Sequence, residues 1–150
     1  MKKIYLVQHG TAHSKDVDEK RPLTDSGIKD TRKIAEYLKK NEVVISKIYH
    51  SGKLRASQTA EIFSEIMAVN NISALPGMNP NDKPEELIRQ MNEDNVMYIG
   101  HLPNLQKVVS KIIAHDESID VIKFQNSAAV CVESEDDTSR IKWFITPAIC

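Results

Sequence analysis

The chain has 150 residues, with 20 lysines and arginines against 21 aspartates and glutamates, and a formal net charge of −1. This length predicts one domain, residues 1–150, with a sizeable core, and the charge balance argues against bulk attraction to nucleic acid or membranes. Cys131 and Cys150 are typical of free thiols in a reducing compartment. No apolar run has the length of a signal peptide or a membrane span, so we expect a soluble, cytoplasmic protein.

The first predicted element is a strand at residues 4–8, an apolar run that is typical of a strand buried on both faces in a parallel sheet. His9 and Gly10 follow it directly. Glycine permits a sharp turn and the close approach of a ligand, and open α/β sheets bind ligands at the carboxyl ends of their strands. His9 is therefore a candidate site residue, although a histidine that caps a strand by local hydrogen bonds has the same local sequence.

Residues 11–22 are polar, lack periodicity and are predicted to form a loop over the strand ends. His9 and His13 have the spacing of some metal ligands, but that spacing brings two side chains together only on a helix, so we expect no metal site. Thr24 is a suitable N-cap for a helix that runs to about Lys40. Its apolar stripe consists of Ile28, Thr31, Ile34, Ala35 and Leu38. Arg21, just before this helix, could be an ordinary surface charge.

A second strand is predicted within Val43 to Tyr49, centred on residues 47–50 and followed by Ser51 and Gly52, either of which could cap the next helix. The predicted buried face of that helix consists of Leu54, Ser57 or Gln58, Ile62 and Ile66. Arg55 falls in its first turn, where free N–H groups and the helix dipole favour an anion. A basic residue there opposes the dipole unless an anion is bound, which favours phosphate binding by Arg55.

Residues 68–84 are predicted to form a long irregular loop, followed by a short helix from Glu85 to Met91. A third buried strand covers residues 95–100 and is followed by His101, which repeats the pattern seen at His9. Pro103 suits the start of the next helix. The apolar stripe of that helix consists of Leu105, Val108, Val109, Ile112 and Ile113.

The last third of the chain is rich in predicted strands, at residues 121–124, 128–133 and 141–145. The acidic, hydroxyl-rich turn at residues 134–139 indicates that the last two form an antiparallel hairpin at one edge of the sheet. Because earlier strands alternate with helices, we predict an α/β fold: a three-layer α/β/α sandwich whose sheet is mainly parallel with an antiparallel edge.

The carboxyl ends of the parallel strands should meet at one edge of this sheet and bring together two histidines, an arginine and two polar side chains: Gln8, His9, Ser51, Arg55 and His101. This set suits transfer of a phosphoryl group. A neutral imidazole is a good nucleophile near neutral pH, and cationic donors offset the charge on the phosphoryl oxygens.

Four segments, LVQHGTA, RPLTDSG, HSGKLRASQTA and IGHLPNL, resemble the signature segments of the histidine phosphatase superfamily, which includes the cofactor-dependent phosphoglycerate mutases. The RPLT segment, the length and the HLP sequence are most similar to the short SixA-type phosphohistidine phosphatases. The resemblance implies a phosphoglycerate mutase-like fold with His9 as the phosphorylated nucleophile. It also implies that Arg55 and His101 are catalytic and bind phosphate, and that Arg21 lines the pocket mouth.

The chain departs from this family at two places. Gln8 stands where the family normally has arginine, and residues 75–82 lack the glutamate that larger members use as a proton donor, with only Asp82, Glu85 and Glu86 nearby. Absence of the acid fits the short branch, because phosphohistidine has a better leaving group than an alkyl ester. The absence of the arginine has no such explanation, although Gln8 keeps a donor for phosphate.

The resemblance implies a hydrolase that acts without cofactor or metal on phosphohistidine in a protein partner, such as a two-component or phosphotransfer carrier domain in signal transduction. Two alternatives remain open at this stage. A phosphatase of small phosphorylated metabolites should need an acid from residues 75–86, and a weakly active or non-catalytic phosphate-binding module is consistent with Gln8.

Overall fold

The computed structural model describes residues 1–150 and shows one six-stranded sheet with helices on both faces. The strands are β1 Lys2–Gln8, β2 Lys47–His50, β3 Ile72–Ala74, β4 Val96–Gly100, β5 Ala129–Glu135 and β6 Thr138–Ile145. The helices are α1 Asp25–Lys40, α2 Leu54–Met67, α3 Pro84–Gln90 and α4 Asn104–Ala114, and a short 3₁₀ turn spans Pro147–Ile149. No helix is both long enough and apolar enough to span a bilayer.

The strand order is β3-β2-β4-β1-β5-β6. Strands β1, β2, β3 and β4 are parallel, and β5 and β6 add the antiparallel edge. β1 and β4 are neighbours in the middle of the sheet, with Gln8 opposite Gly100, so both strands end at the same level. The predicted three-layer fold, with its parallel centre and antiparallel hairpin, is confirmed.

Two apolar cores fill the spaces on the two faces of the sheet. The first lies under α1 and α2 and contains Ile34, Phe63 and Ile99, while the second lies under α3 and α4 and contains Leu87 and Leu105. Successive residues of β1 and β4 point into opposite cores, which explains why these strands are apolar without alternation. Burial on both faces holds the two strand ends rigidly in place.

The prediction for α1 is confirmed at both ends, and the Thr24 hydroxyl accepts a hydrogen bond from the Gly27 N–H at 3.0 Å. The stripe is wrong at one position, since Ile28 is exposed and Gly27 is buried. A Cβ on Gly27 would lie only 2.1 Å from the Thr11 carbonyl oxygen. Glycine is therefore required there for the loop after β1 to pass over the start of the helix.

The predicted buried face of α2 is wrong. Leu54 is more than a third exposed, and the buried residues are Ala56, Thr59, Ala60 and Phe63. Small alanines allow α2 to pack closely against its neighbours, although they contribute little to an apolar periodicity. The predicted cap also differs, because Lys53 occupies the N-cap position and Ser51 accepts only a long 3.3 Å bond from the Lys53 N–H.

Three further predictions on regular structure need correction. Residues 43–46 lie outside β2, and the predicted irregular loop at 68–84 contains β3, which is short and flanked by polar residues. Residues 121–124 do not form a strand, and their apolar side chains pack on the core beneath α3 and α4 without joining the sheet. Instead, the Ile122 carbonyl accepts a hydrogen bond from the Gln106 side chain on α4 at 2.8 Å. Cys131 and Cys150 are free thiols, as predicted.

Candidate functional site

The two histidines predicted at strand ends lie side by side at the carboxyl edge of the sheet. His9 follows β1 and His101 follows β4, and their ring centroids are 4.9 Å apart. The His9 N–H donates to the Gly100 carbonyl at 3.0 Å, which continues the pairing of the two strands to the histidines themselves. Both residues are buried except for small openings, with 8% of His9 and 1% of His101 exposed.

The hydrogen bonding of His9 fixes which ring nitrogen can act as a nucleophile. Its Nδ1 lies 2.7 Å from the Gly10 carbonyl oxygen, and a carbonyl oxygen can only accept. Nδ1 therefore carries the proton, and the lone pair of the neutral ring lies on Nε2. This is the arrangement that a nucleophilic histidine needs, because the second nitrogen holds the proton and fixes the ring.

The peptide bond between His9 and Gly10 is held in place by residues that the sequence analysis missed. Thr59 Oγ1 on α2 accepts a hydrogen bond from the Gly10 N–H at 3.0 Å and donates to the Arg55 carbonyl at 2.7 Å. Asn126 Nδ2 donates to the His9 carbonyl at 3.0 Å. A Cβ on Gly10 would lie 2.8 Å from Thr31 Oγ1, so glycine here permits packing against α1. Thr59 and Asn126 are distant from His9 in sequence. The one sequence feature that could have indicated Thr59 is its helical spacing from Arg55, and no feature indicated Asn126.

His101 is positioned by Ser51 at the end of β2, which confirms that the three predicted strand ends converge. Ser51 Oγ lies 2.6 Å from His101 Nε2, whereas His101 Nδ1 is buried without a hydrogen-bond partner. The 2.6 Å contact is compatible with either tautomer of His101; in the one where the Ser51 hydroxyl donates to Nε2, the ring proton lies on Nδ1 and His101 presents a free N–H donor beside His9.

Arg55 lies in the first turn of α2, as predicted, and no acidic residue shares that turn. Its Nε is buried without a partner, so the pocket holds an unsatisfied cationic donor. Burial and the nearby Arg21 both lower the pKa of Arg55. Arg21 is half-buried, and its Nε donates to the His13 carbonyl at 3.0 Å. Two neighbouring arginines without a carboxylate partner make this a candidate site for an anion.

Gln8 precedes His9 and is 9% exposed, and its Oε1 is buried without a hydrogen-bond partner. The main chain at Gln8 is held by the turn before β5, since the Ser127 N–H donates to the Gln8 carbonyl at 3.0 Å. Ser127 in turn hydrogen bonds to Thr31 at 2.8 Å. Gln8 therefore has a fixed backbone and a polar side chain whose hydrogen-bonding capacity is not fully used.

Two of the three nearby carboxylates are engaged elsewhere. Asp82 Oδ2 accepts from the Asn79 N–H at 2.9 Å, and Glu85 pairs with Lys111 at 2.6 Å, whereas Glu86 makes no such contact and lies beside Gly77. The charged groups that shift the pKa values of His9 and His101 are arginines, a lysine and the other histidine, with no carboxylate among them. The site therefore contains cationic donors and neutral imidazole rings, and no carboxylate is among the charged groups that act on the two histidines.

Burial lowers the pKa of His9 from its ordinary value of 6.5 to about 4, with smaller contributions from Arg55 and Arg21. The pKa of His101 is lowered to about 3, mainly by burial and further by the neighbouring His9 and Arg55. Both rings are consequently neutral at physiological pH. A nucleophilic Nε2 lone pair on His9 is available over the whole range in which the protein would work.

These lowered pKa values predict a loss of stability in mild acid. Below pH 6.5 the histidines of the unfolded chain bind protons, whereas His9 stays neutral in the folded protein down to about pH 4. The unfolded state therefore binds more protons, and the free energy of unfolding should fall as the pH drops through this window. Urea unfolding at pH 7, 6 and 5 should show a shallower decline in His9→Ala than in the wild type. The exposed His115 provides the control, since His115→Ala should keep the wild-type dependence of the free energy of unfolding on pH. The same pH dependence in all three proteins would contradict the lowered pKa of His9.

The order of strands and helices is that of a phosphoglycerate mutase-like fold. Over 98% of both chains, the structure superposes on that of the protein histidine phosphatase SixA complexed with tungstate, with a TM-score of 0.84 and 23% identity. A putative SixA from Agrobacterium tumefaciens matches with a TM-score of 0.79 and 21% identity over 97% of this chain and 98% of the other. A phosphoserine phosphatase from Entamoeba histolytica matches with 0.74 and 14% over 96% of each. At these identities the similarity establishes the fold.

The sequence comparison assigns the family. Residues 4–79 match the model of the histidine phosphatase superfamily (branch 1), and the chain belongs to this superfamily. Phosphohistidine phosphatase SixA of Escherichia coli K12 is 29% identical over 117 residues, which cover 73% of each chain. The family and these SixA-type relatives support a function as a phosphatase.

Proposed function

We propose that this protein hydrolyses phosphohistidine on a partner protein through a phosphohistidine intermediate on His9. The observation that carries the proposal is the bond from His9 Nδ1 to the Gly10 carbonyl, because it leaves the Nε2 lone pair free beside unsatisfied donors of Arg55 and His101. The SixA relative from Escherichia coli carries the same activity in its name.

The reaction has two in-line displacements at phosphorus. In the first, the substrate imidazole carries a solvent-derived proton on its other nitrogen, His9 Nε2 forms a bond to phosphorus as the bond to that imidazole breaks, and the imidazole leaves as a neutral ring. Arg55 and Arg21, together with His101 Nδ1–H when Ser51 donates to His101 Nε2, stabilise the charge on the transferring oxygens. In the second, water forms the new P–O bond, the bond from phosphorus to His9 breaks, and inorganic phosphate leaves. The released proton passes to solvent, and neutral His9 is regenerated.

The lack of a carboxylate among the charged groups that act on His9 and His101 supports phosphohistidine as the substrate. An alkyl phosphate ester requires protonation of its leaving oxygen, and Asp82 and Glu85 are held in other contacts. Imidazole leaves more readily because its nitrogen is a weaker base than an alkoxide. This argument favours a phosphorylated protein over phosphoglycerates or sugar phosphates, whose hydrolysis would need such an acid.

The proposal is tested by comparing substrates. A phosphorylated histidine-containing carrier domain should be hydrolysed with higher kcat/KM than 3-phosphoglycerate, phosphoserine or a sugar phosphate under the same conditions. Release of inorganic phosphate measures all four reactions. A higher kcat/KM on any of the three metabolites would assign the protein to the small-molecule phosphatases instead.

Gln8 gives a separate prediction on rate. Arginine would add a charge-assisted fork to the phosphoryl group where glutamine offers a neutral amide, a difference of about 1.5–3 kcal/mol. We therefore expect Gln8→Arg to raise kcat/KM on the phosphohistidine carrier by about ten- to a hundredfold. Gln8→Met, of similar length but without a donor, is the matched control and should be slower than the wild type. An unchanged or lower rate in Gln8→Arg would mean that the site depends on glutamine, and phosphate binding without turnover in both proteins would indicate a binding module.

A further inference from the structure

Arg21 has a backbone conformation that needs support from the rest of the fold. Its φ of 51° lies in the left-handed region, which non-glycine residues rarely adopt, and it precedes Pro22, a position where extended backbone is normal. The Arg21 side chain donates from Nε to the His13 carbonyl at 3.0 Å. Such backbone strain persists only where neighbouring contacts fix the chain, and it is concentrated at functional sites.

The segment after Arg21 is held both by the loop that follows β1 and by α2. Leu23 pairs with Ala12 in an isolated antiparallel bridge, which is closed by two backbone hydrogen bonds of 2.9 Å. Neither of these bonds uses the N–H of Leu23. That N–H belongs to a buried residue and donates to Gln58 Oε1 on α2 at 2.8 Å. Gln58 therefore joins α2 to the segment that carries Arg21.

Gln58 shares one face of α2 with two residues that belong to the site. Arg55 lies three residues before it and Thr59 directly follows it, and residues spaced three and four apart lie on the same side of a helix. Thr59 accepts from the Gly10 N–H, beside the nucleophile. The first two turns of α2 therefore carry a candidate phosphate ligand, a contact to the loop of the nucleophile and a contact to the segment of Arg21.

The charge of Arg21 acts on the site. It contributes to the lowered pKa values of Arg55, His9 and His101. Two like charges repel each other until an anion neutralises them, so Arg21 must be held near Arg55 by other contacts. Within the protein, the guanidinium of Arg21 hydrogen bonds only through Nε, which leaves both Nη groups free to bind a phosphoryl group.

We propose that Gln58 is a positioning residue for Arg21: its hydrogen bond to the Leu23 N–H keeps Arg21 near Arg55, so that both guanidinium groups can bind the transferring phosphoryl group. This inference rests on the proposed function, and it adds the residue that assembles the pair of arginines. Gln58 lies about one helical turn from Arg55 and holds the residue two positions after Arg21. It acts through Arg21 and is not itself a ligand of the phosphoryl group.

A double-mutant cycle tests whether Gln58 acts through Arg21. Gln58→Met keeps the length of the side chain but removes the acceptor, and it should lower kcat/KM on the phosphorylated carrier by about tenfold, as expected for a displaced catalytic donor. Arg21→Met should lose at least as much. Adding Gln58→Met to Arg21→Met should change kcat/KM by less than about twofold, because the side chain that Gln58 positions is already absent. Losses that multiply in the double variant would overturn the proposal.

An NMR measurement tests the position of Arg21 without relying on activity. The ¹H–¹⁵N signal of Arg21 Nε–H, assigned by its loss in Arg21→Met, should move in Gln58→Met. It should also move in the milder Gln58→Asn, which shortens the side chain by one carbon and gives the same test if the methionine variant does not fold. Ser64→Ala is the matched control, since Ser64 lies near the far end of α2 and its hydroxyl donates to the Val69 carbonyl. This control should keep the signal and kcat/KM of the wild type, and an unmoved signal in the Gln58 variants would refute the positioning role.

The same cycle on the Kd of inorganic phosphate separates this proposal from the proposed function. If the wild type binds phosphate but does not hydrolyse the carrier, the proposed function fails, whereas a Kd weakened by Gln58→Met only when Arg21 is present still supports the positioning role. Undiminished kcat/KM of Gln58→Met on the carrier would overturn that role and leave the proposed function intact. A wild type that neither hydrolyses the carrier nor binds phosphate would overturn both.

Discussion

Replacing His9 with alanine should reduce kcat on a phosphohistidine substrate by about 10⁴-fold or more, because the nucleophile that forms the intermediate is removed. His101 and Arg55 remain in the variant but can only stabilise charge, so the residual rate reflects water attack on a bound phosphoryl group. Steady-state release of inorganic phosphate measures the effect. His115→Ala, which removes an exposed histidine just after α4, should keep the wild-type rate. A rate within tenfold of the wild type in His9→Ala would exclude covalent catalysis by this residue.

Replacing Arg55 with methionine should have the next largest effect and should separate function from stability. Loss of a preorganised charged donor to the transferring phosphoryl group costs about 10²- to 10³-fold in kcat. In the ligand-free protein the same change removes a buried, unpartnered Nε and the repulsion from Arg21. The Tm without phosphate should therefore rise, while the increase in Tm on adding phosphate should disappear.

Thermal unfolding with and without phosphate, combined with the steady-state rate, measures both parts of this prediction. Arg32 lies on α1 and is exposed, so Arg32→Met is the control and should leave the rate and the phosphate response unchanged. A variant that keeps the phosphate-induced rise in Tm would show that Arg55 does not bind the anion.

The sequence predicted which residues meet at this edge of the sheet, because most of them adjoin strands whose burial is evident from composition. β1 and β4 are apolar runs that end at glycine and histidine, and parallel strands must end at the same edge of the sheet. The convergence of His9, Ser51 and His101 follows from this rule, since the sheet order places β4 between β1 and β2. Arg55 was found because a cation in a first helical turn is unfavourable without an anion.

The residues that support the site could not be predicted in the same way. Thr59 holds the Gly10 N–H across 49 positions of sequence, and Asn126 reaches the His9 carbonyl across 117. A single sequence carries no periodicity or local signal for such pairs. Their effect is nevertheless large in physical terms, because both bonds hold the single peptide between His9 and Gly10.

The errors in regular structure have a common cause, which is that tertiary packing overrides local pattern. Leu54 and Ile62 suggested the wrong face of α2, whereas the real interface uses Ala56 and Ala60 to bring helices close. The apolar run at 121–124 has the composition of a strand, yet it pairs with no strand of the sheet. Phe124 is buried in the core beneath α3 and α4 instead, and Val121 and Ile122 pack against that core.

The most direct test of the central claim is to isolate the intermediate. The protein is incubated with a phosphorylated histidine carrier, quenched rapidly, and digested for tandem mass spectrometry at alkaline pH. We predict a phosphoryl group on His9 that is stable to base and labile to acid, formed in the wild type and absent from His9→Ala. Turnover of the carrier with no phosphate on His9 at any quench time, or with phosphate on another residue, would contradict the account.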